Sequence, residues 1–90
     1  MYGIIISIMV INVFHIGEAY KMKMSYKKLW KLLIDKNLKK KDLCKMSGVS
    51  STSIAKMGRN ENVTTDNLVK ICEALKCDIA DIAEVVENDD

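Results

Sequence analysis

Between residues 25 and 86, the apolar positions recur with the three- and four-residue spacing of amphipathic helices. The first predicted helix has Ser25 as its N-cap, ends near Asn37 and turns inward Tyr26, Leu29, Trp30, Leu33 and Ile34. The next two helices are predicted over about residues 40–47 and 51–58. A fourth follows a Thr64 or Thr65 cap and runs to about Leu75, and a fifth follows Asp78. The pattern therefore predicts an all-α fold of five helices.

The connection between the second and third helices has the chemistry of a tight turn. Gly48 can take the left-handed conformation that closes a helix, and Ser50 is a preferred N-cap type for the next one. Val49 and Ile54 are predicted to enter the core, so the hydroxyl-rich start of the third helix faces outward. A helix, a glycine turn and a short helix with a polar front are what a protein needs to place a helix in the major groove of DNA.

Residues 1–23 have a different character. The segment from Ile4 to Ile16 is rich in Ile, Val, Met and Phe, but its 13 residues are too few for a helix that spans a bilayer, and signal-peptide features are missing. Three interpretations stand: an over-extended gene reading or disordered tail, with Met22 or Met24 as the true start; a strand that pairs or packs; and, least favoured, membrane association. We predict an N-terminal apolar extension (strand or disordered) over 1–23, the helical domain over 24–86 and an acidic tail over 87–90.

The net charge of +2 is unevenly distributed. Residues 1–23 carry +1, residues 24–62 carry +7 and residues 63–90 carry −6. The basic block coincides with the predicted second and third helices, as expected for contact with phosphates, although a solvated lysine-rich surface would give the same total.

The side chains that could carry chemistry are few. Cys44, Cys72 and Cys77 have no CxxC spacing, and Cys44 and Cys72 fit small buried residues in a reducing cytoplasm. His15 is the single histidine, so we predict no metal site. The sequence has no catalytic Ser/His/Asp or Cys/His set and no glycine-rich phosphate loop, so we predict neither a cofactor nor an enzyme.

Two segments resemble a known family. They are Ser25-Tyr26-Lys27-Lys28-Leu29-Trp30 and Ile71-Cys72-Glu73-Ala74-Leu75-Lys76-Cys77-Asp78-Ile79-Ala80-Asp81-Ile82. With the turn between them, they make residues 25–86 similar to the Cro/lambda-repressor-like (XRE) helix-turn-helix regulators, in particular the compact stand-alone bacterial type. The resemblance implies a five-helix lambda-repressor-like domain that reads DNA with helices two and three. Ser47 departs from the pattern, since relatives often carry Leu there.

The resemblance also implies residue roles. Cys44 would occupy a position where only a small side chain fits between helices two and three. Gly48 would form the turn, and Ile54 would anchor helix three in the core. The implied contacts to base edges are Ser51, Thr52 and Lys56, with Ser53 beside them. The implied contacts to phosphates are Lys39, Lys40, Lys41, Arg59 and Asn60.

These inferences predict a cytoplasmic, sequence-specific transcriptional regulator, most simply a repressor, that inserts the helix at about 51–58 into the major groove. Its partner would be double-stranded DNA, bound as a homodimer because one module makes few phosphate contacts. A different class remains open: an antitoxin-like or adaptor module that uses the same fold to bind a protein partner.

Overall fold

The computed structural model describes residues 21–88. In chain order, this range contains strand β1 (Met22–Ser25), helices α1 (Lys27–Asp35), α2 (Lys40–Ser47), α3 (Ser51–Gly58) and α4 (Thr65–Leu75), a 3-10 turn (Ile79–Asp81) and strand β2 (Glu84–Glu87). The first four predicted helices are confirmed, and the bounds of α2 and α3 are those expected from the sequence.

Local side-chain chemistry sets most of the helix ends. The hydroxyl oxygen of Thr64 accepts the backbone N–H of Asn67 at 3.2 Å and so caps α4, which makes Thr64 the cap of the two residues predicted. The prediction that Ser25 caps α1 was wrong. Ser25 is the last residue of β1, the N-cap is Tyr26, and no side chain caps this helix.

The core lies between the four helices and the chain that follows them. Its buried apolar residues are Tyr26, Leu29, Leu33, Leu43, Val49, Ile54, Met57, Leu68, Ile71, Leu75, Ile82 and Ala83. Ile34 was predicted to join them but is 76% exposed. It lies five residues after Leu29, which places it about 140° around the helix from the buried face.

The fifth helix was also predicted wrongly, and with it the all-α class. Asp78 does cap a helical turn, as expected, but this turn is a 3-10 helix of three residues. The following residues form β2, which pairs with β1 in an antiparallel sheet with Lys23 opposite Val86 and Met24 opposite Val85. Adjacent β-branched residues favour a strand once a partner strand is available. That partner lies some sixty residues earlier, so local helical spacing could not reveal it.

The sheet joins the two ends of the described chain. Strand β1 crosses the boundary predicted between residues 23 and 24, and β2 crosses the one predicted between residues 86 and 87. The N–H of Asn88 donates to the carbonyl of Lys21 at 2.8 Å and extends the ladder by one bond. The apolar segment from Ile4 to Ile16 lies outside the described residues.

Candidate nucleic-acid interface

The turn between α2 and α3 is built by a glycine and a serine. Gly48 has φ +77°, and its N–H donates to the carbonyl of Cys44 at 2.9 Å, which ends α2 as predicted. Sequence reasoning missed the role of Ser47. Its hydroxyl donates to the Leu43 carbonyl at 2.6 Å and accepts the N–H of Val49 at 3.1 Å. Serine often bonds back to the carbonyl four residues earlier, which was the available signal. The chain can therefore reverse tightly between the two helices.

Helix α3 is anchored on one side and open on the other. Ser50 caps its start by accepting the N–H of Ser53 at 3.2 Å, as predicted. Ile54 and Met57 are buried in the core, which confirms the predicted anchor at Ile54. A helix held in this way presents its remaining side chains to solvent on a rigid support.

Three of the four predicted base contacts lie on that open side. Ser51, Thr52 and Lys56 are exposed. Cys44 on α2 is half-buried against the core, as expected for a small residue at a helix–helix contact. Together with Lys41 and Lys45, Cys44 lies beside a shallow apolar groove between α2 and α3.

Ser53 is placed differently from its neighbours. It is half-buried, and its hydroxyl oxygen accepts two hydrogen bonds, one from the hydroxyl of Ser50 and one from Nδ2 of Asn67, each at 3.2 Å. Sequence reasoning missed the contact with Asn67, which lies 14 residues away on α4.

The predicted phosphate contacts at the start of α2 are all exposed lysines. Lys39 precedes the helix, and its N–H donates to Oδ2 of Asp42 at 2.8 Å. Lys40 lies with Nζ 4.5 Å from the centre of the Trp30 ring, in the range of a cation–π contact. This contact holds the Lys40 ammonium group over α1, and Nζ also approaches Gly58 at the end of α3.

The loop after α3 is tied to the start of α1. Asn60 has φ +57°, and its side-chain oxygen accepts the N–H of Tyr26 at 3.3 Å. The Tyr26 hydroxyl donates to the carbonyl of Glu61 at 2.9 Å. Arg59 is paired with the Glu61 carboxylate at 2.5 Å, and this hydrogen bond raises the pKa of the guanidinium and lowers that of the carboxyl. Asn60 therefore has a structural role beside its predicted one, and Arg59 must share its guanidinium with a carboxylate.

The described residues offer little other chemistry. They contain no group of three or more His, Cys, Asp or Glu side chains placed to hold a metal ion. No helix in the described part of the chain has the length and apolar character needed to cross a membrane. Burial raises the pKa of the Cys72 thiol to about 11, and burial likewise raises that of Cys77.

Comparisons with known proteins agree with this geometry. The family described as the Cro/C1-type HTH DNA-binding domain matches residues 28–88. The crystal structure of the transcriptional regulator VanUg is similar to the chain with a TM-score of 0.73 and 48% sequence identity, and the similarity covers 78% of this chain and 93% of that one. No curated protein sequence matches. The matched residues include the whole of the α2–turn–α3 unit. The chain belongs to the Cro/C1-type helix-turn-helix family of DNA-binding transcriptional regulators.

Proposed function

We propose that this protein is a sequence-specific repressor that inserts α3 into the major groove of its operator. The observation that carries the proposal is the exposed face of Ser51, Thr52 and Lys56 on α3, a helix whose opposite side is buried. A lysine ammonium group can donate to the guanine O6 and N7 atoms, and the hydroxyls can donate or accept. Repression is the simplest outcome because a protein seated on an operator blocks polymerase.

The surrounding cations fit the phosphate contacts that such docking needs. Lys39, Lys40 and Lys41 lie at the start of α2, where free N–H groups and the helix dipole also favour anions. Arg59 and Asn60 follow the other end of α3. These two groups therefore flank the recognition helix along the chain, as phosphate contacts that set its register on the duplex should.

We also propose that the protein binds its operator as a homodimer. One module neutralises few phosphates and binds weakly at physiological salt, whereas two modules on adjacent half-sites share one binding event. We therefore infer that the operator is approximately palindromic, with half-sites about 10 base pairs apart from centre to centre.

Fluorescence anisotropy tests the proposal with the full chain, a pool of random duplexes and several salt concentrations. Salt-dependent binding followed by recovery of a common sequence supports it. Binding without any common sequence would leave only a non-specific DNA-binding protein. Absence of binding at low salt would favour the alternative, a protein-interaction module of the antitoxin or adaptor type.

Two substitutions separate the proposed phosphate and base contacts. Lys40→Ala should weaken binding to all sequences and reduce the slope of log affinity against log salt by about 0.9. Lys70→Ala is its control, because Lys70 is an exposed lysine on α4 that pairs with Asp66 at 3.1 Å. Thr52→Ala should change the preferred sequence, and Thr52→Ser, which keeps the hydroxyl, should change it less. Equal losses on every sequence from Thr52→Ala would contradict its role in reading bases.

A further inference from the structure

The side chain of Asn67 links the start of α4 to the start of α3. Asn67 is half-buried, and its Nδ2 donates to the Ser53 hydroxyl oxygen at 3.2 Å. Its side chain does not cap α4, because the Thr64 hydroxyl does so by accepting the backbone N–H of Asn67. The Asn67 amide group therefore binds a residue of α3 and not a residue of its own helix.

The linked pair opens onto a groove beside α3. This groove encloses about 220 Å³, and its walls are formed by Ser53, Lys56, Asn62, Val63, Thr64 and Asn67. Lys56 and Ser53 therefore border the same space. A base edge that reaches Lys56 lies within the neighbourhood of Ser53.

The hydrogen bonds at Ser53 decide what its hydroxyl can still do. A hydroxyl has one O–H donor and two acceptor lone pairs. With the Ser50 hydroxyl as the donor of the contact between the two serines, the Ser53 oxygen accepts from Ser50 and from Asn67, and both of its lone pairs are used. What remains is the O–H group, which can donate to guanine O6 or N7, adenine N7 or thymine O4. In this arrangement it does not accept from the amino group of cytosine or adenine.

We propose that Asn67 is a positioning residue that restricts Ser53 to donating a hydrogen bond, so that α3 selects a base acceptor and rejects an amino group at one position of the operator. This inference rests on the proposed function, because it requires α3 to lie in the major groove. It assigns a specificity role to a residue on α4 that itself need not touch DNA. A serine at this place without Asn67 would accept or donate and would discriminate weakly.

The test that reverses the direction of this hydrogen bond is Asn67→Asp. A carboxylate has only acceptors, so it would accept a hydrogen bond from the Ser53 O–H and leave a lone pair on the serine oxygen free to accept. The preference at one base position should then shift from acceptor-presenting to amino-presenting bases, by about fivefold in relative affinity, as one hydrogen bond supports. Asn62→Asp is the control, because it adds the same charge to the wall of the same groove. It should lower affinity for all sequences without changing the preference.

The experiment selects bound duplexes from a random pool with the full-length protein and its variants. Asn67→Ala and Ser53→Ala should relax the preference at the same base position, and the double variant should relax it no further. Because Thr64 still caps α4, Asn67→Ala should remain folded and lose no more than the about 1 kcal/mol of one hydrogen bond in urea denaturation. A variant that unfolds in this way is folded in the binding assay, so its change in preference would not be a loss of fold.

Three results would overturn the proposal. If the unmodified protein selects a common sequence and Asn67→Ala and Asn67→Asp select the same one, the positioning role fails and the proposed function stands. If both variants lose affinity uniformly on every sequence, Ser53 contacts a phosphate and not a base, and the positioning role also fails. If the unmodified protein selects no common sequence, the proposed function fails and this inference fails with it.

Discussion

Replacing Gly48 by alanine tests whether the turn between α2 and α3 depends on a left-handed backbone. Gly48 has φ +77°, and a Cβ added there would meet no heavy atom within 4 Å. Any loss of stability in Gly48→Ala therefore comes from the backbone conformation and not from a steric clash of the added Cβ. A residue with a Cβ loses about 1–2 kcal/mol in this conformation. Alanine also restricts the unfolded chain, which returns about 0.4–1 kcal/mol. We expect Gly48→Ala to lower the free energy of unfolding by about 1 kcal/mol.

Urea denaturation followed by circular dichroism measures this change, and thermal unfolding should show a midpoint about 4–8 °C lower. Gly48→Asn should lose less than Gly48→Ala, because asparagine tolerates the left-handed region better. Gly58→Ala is the matched control, since Gly58 lies in α3 and its added Cβ would meet only the flexible end of Lys40 at 3.4 Å. We expect it to be neutral or stabilising by up to about 1 kcal/mol. If Gly48→Ala is as stable as the unmodified protein, the turn does not depend on glycine and the reasoning is wrong.

Further predictions concern the ends and the core of the domain. Tyr26→Phe removes the hydrogen bond to the Glu61 carbonyl and should cost about 1 kcal/mol in urea denaturation, whereas an unchanged midpoint would show that water replaces the hydroxyl without loss. Because burial raises the pKa of Cys72 to about 11 from 9.0, its thiolate should be roughly 100-fold scarcer at pH 8 in the folded protein. A more basic thiolate is also more nucleophilic, which returns about tenfold in rate. Iodoacetamide followed by mass spectrometry should therefore modify Cys72 about tenfold more slowly in the folded than in the unfolded chain, at a rate that rises with pH; equal rates would contradict the burial. A chain that begins at Met24 should be less stable by about 1–2 kcal/mol than one that begins at Lys21, because it loses the first half of β1 and the hydrogen bond from Asn88 to the Lys21 carbonyl; equal urea midpoints would show that the sheet adds nothing.

The parts of the fold that depend on local chemistry could be predicted from the sequence. Ser50 and Thr64 cap α3 and α4, and Gly48 ends α2, each through contacts within five residues. Helical spacing also identified the anchor Ile54. These signals are local, so the α2–turn–α3 unit was predicted almost residue by residue.

The parts that failed depend on contacts between distant residues. Val85 and Val86 fit the inner face of a fifth helix as well as a strand, and only their pairing with β1 decides between the two. Likewise, Asn60 appeared to be a loop residue free for phosphate, yet its oxygen binds the N–H of Tyr26, 34 residues earlier. The Ser53–Asn67 bond is of the same kind. One sequence gives no signal for such pairs.

The central claim is that α3 reads bases while the lysines around it hold phosphates. The most direct measurement titrates the selected operator and a scrambled duplex with the full-length protein and with the double variant Thr52→Ala, Lys56→Ala, at several salt concentrations. The account predicts that the ratio of the two affinities falls towards one in the double variant, while the salt slope decreases by no more than about 1. A double variant that keeps the full affinity ratio would contradict the claim, because the operator would then be recognised without these residues of α3.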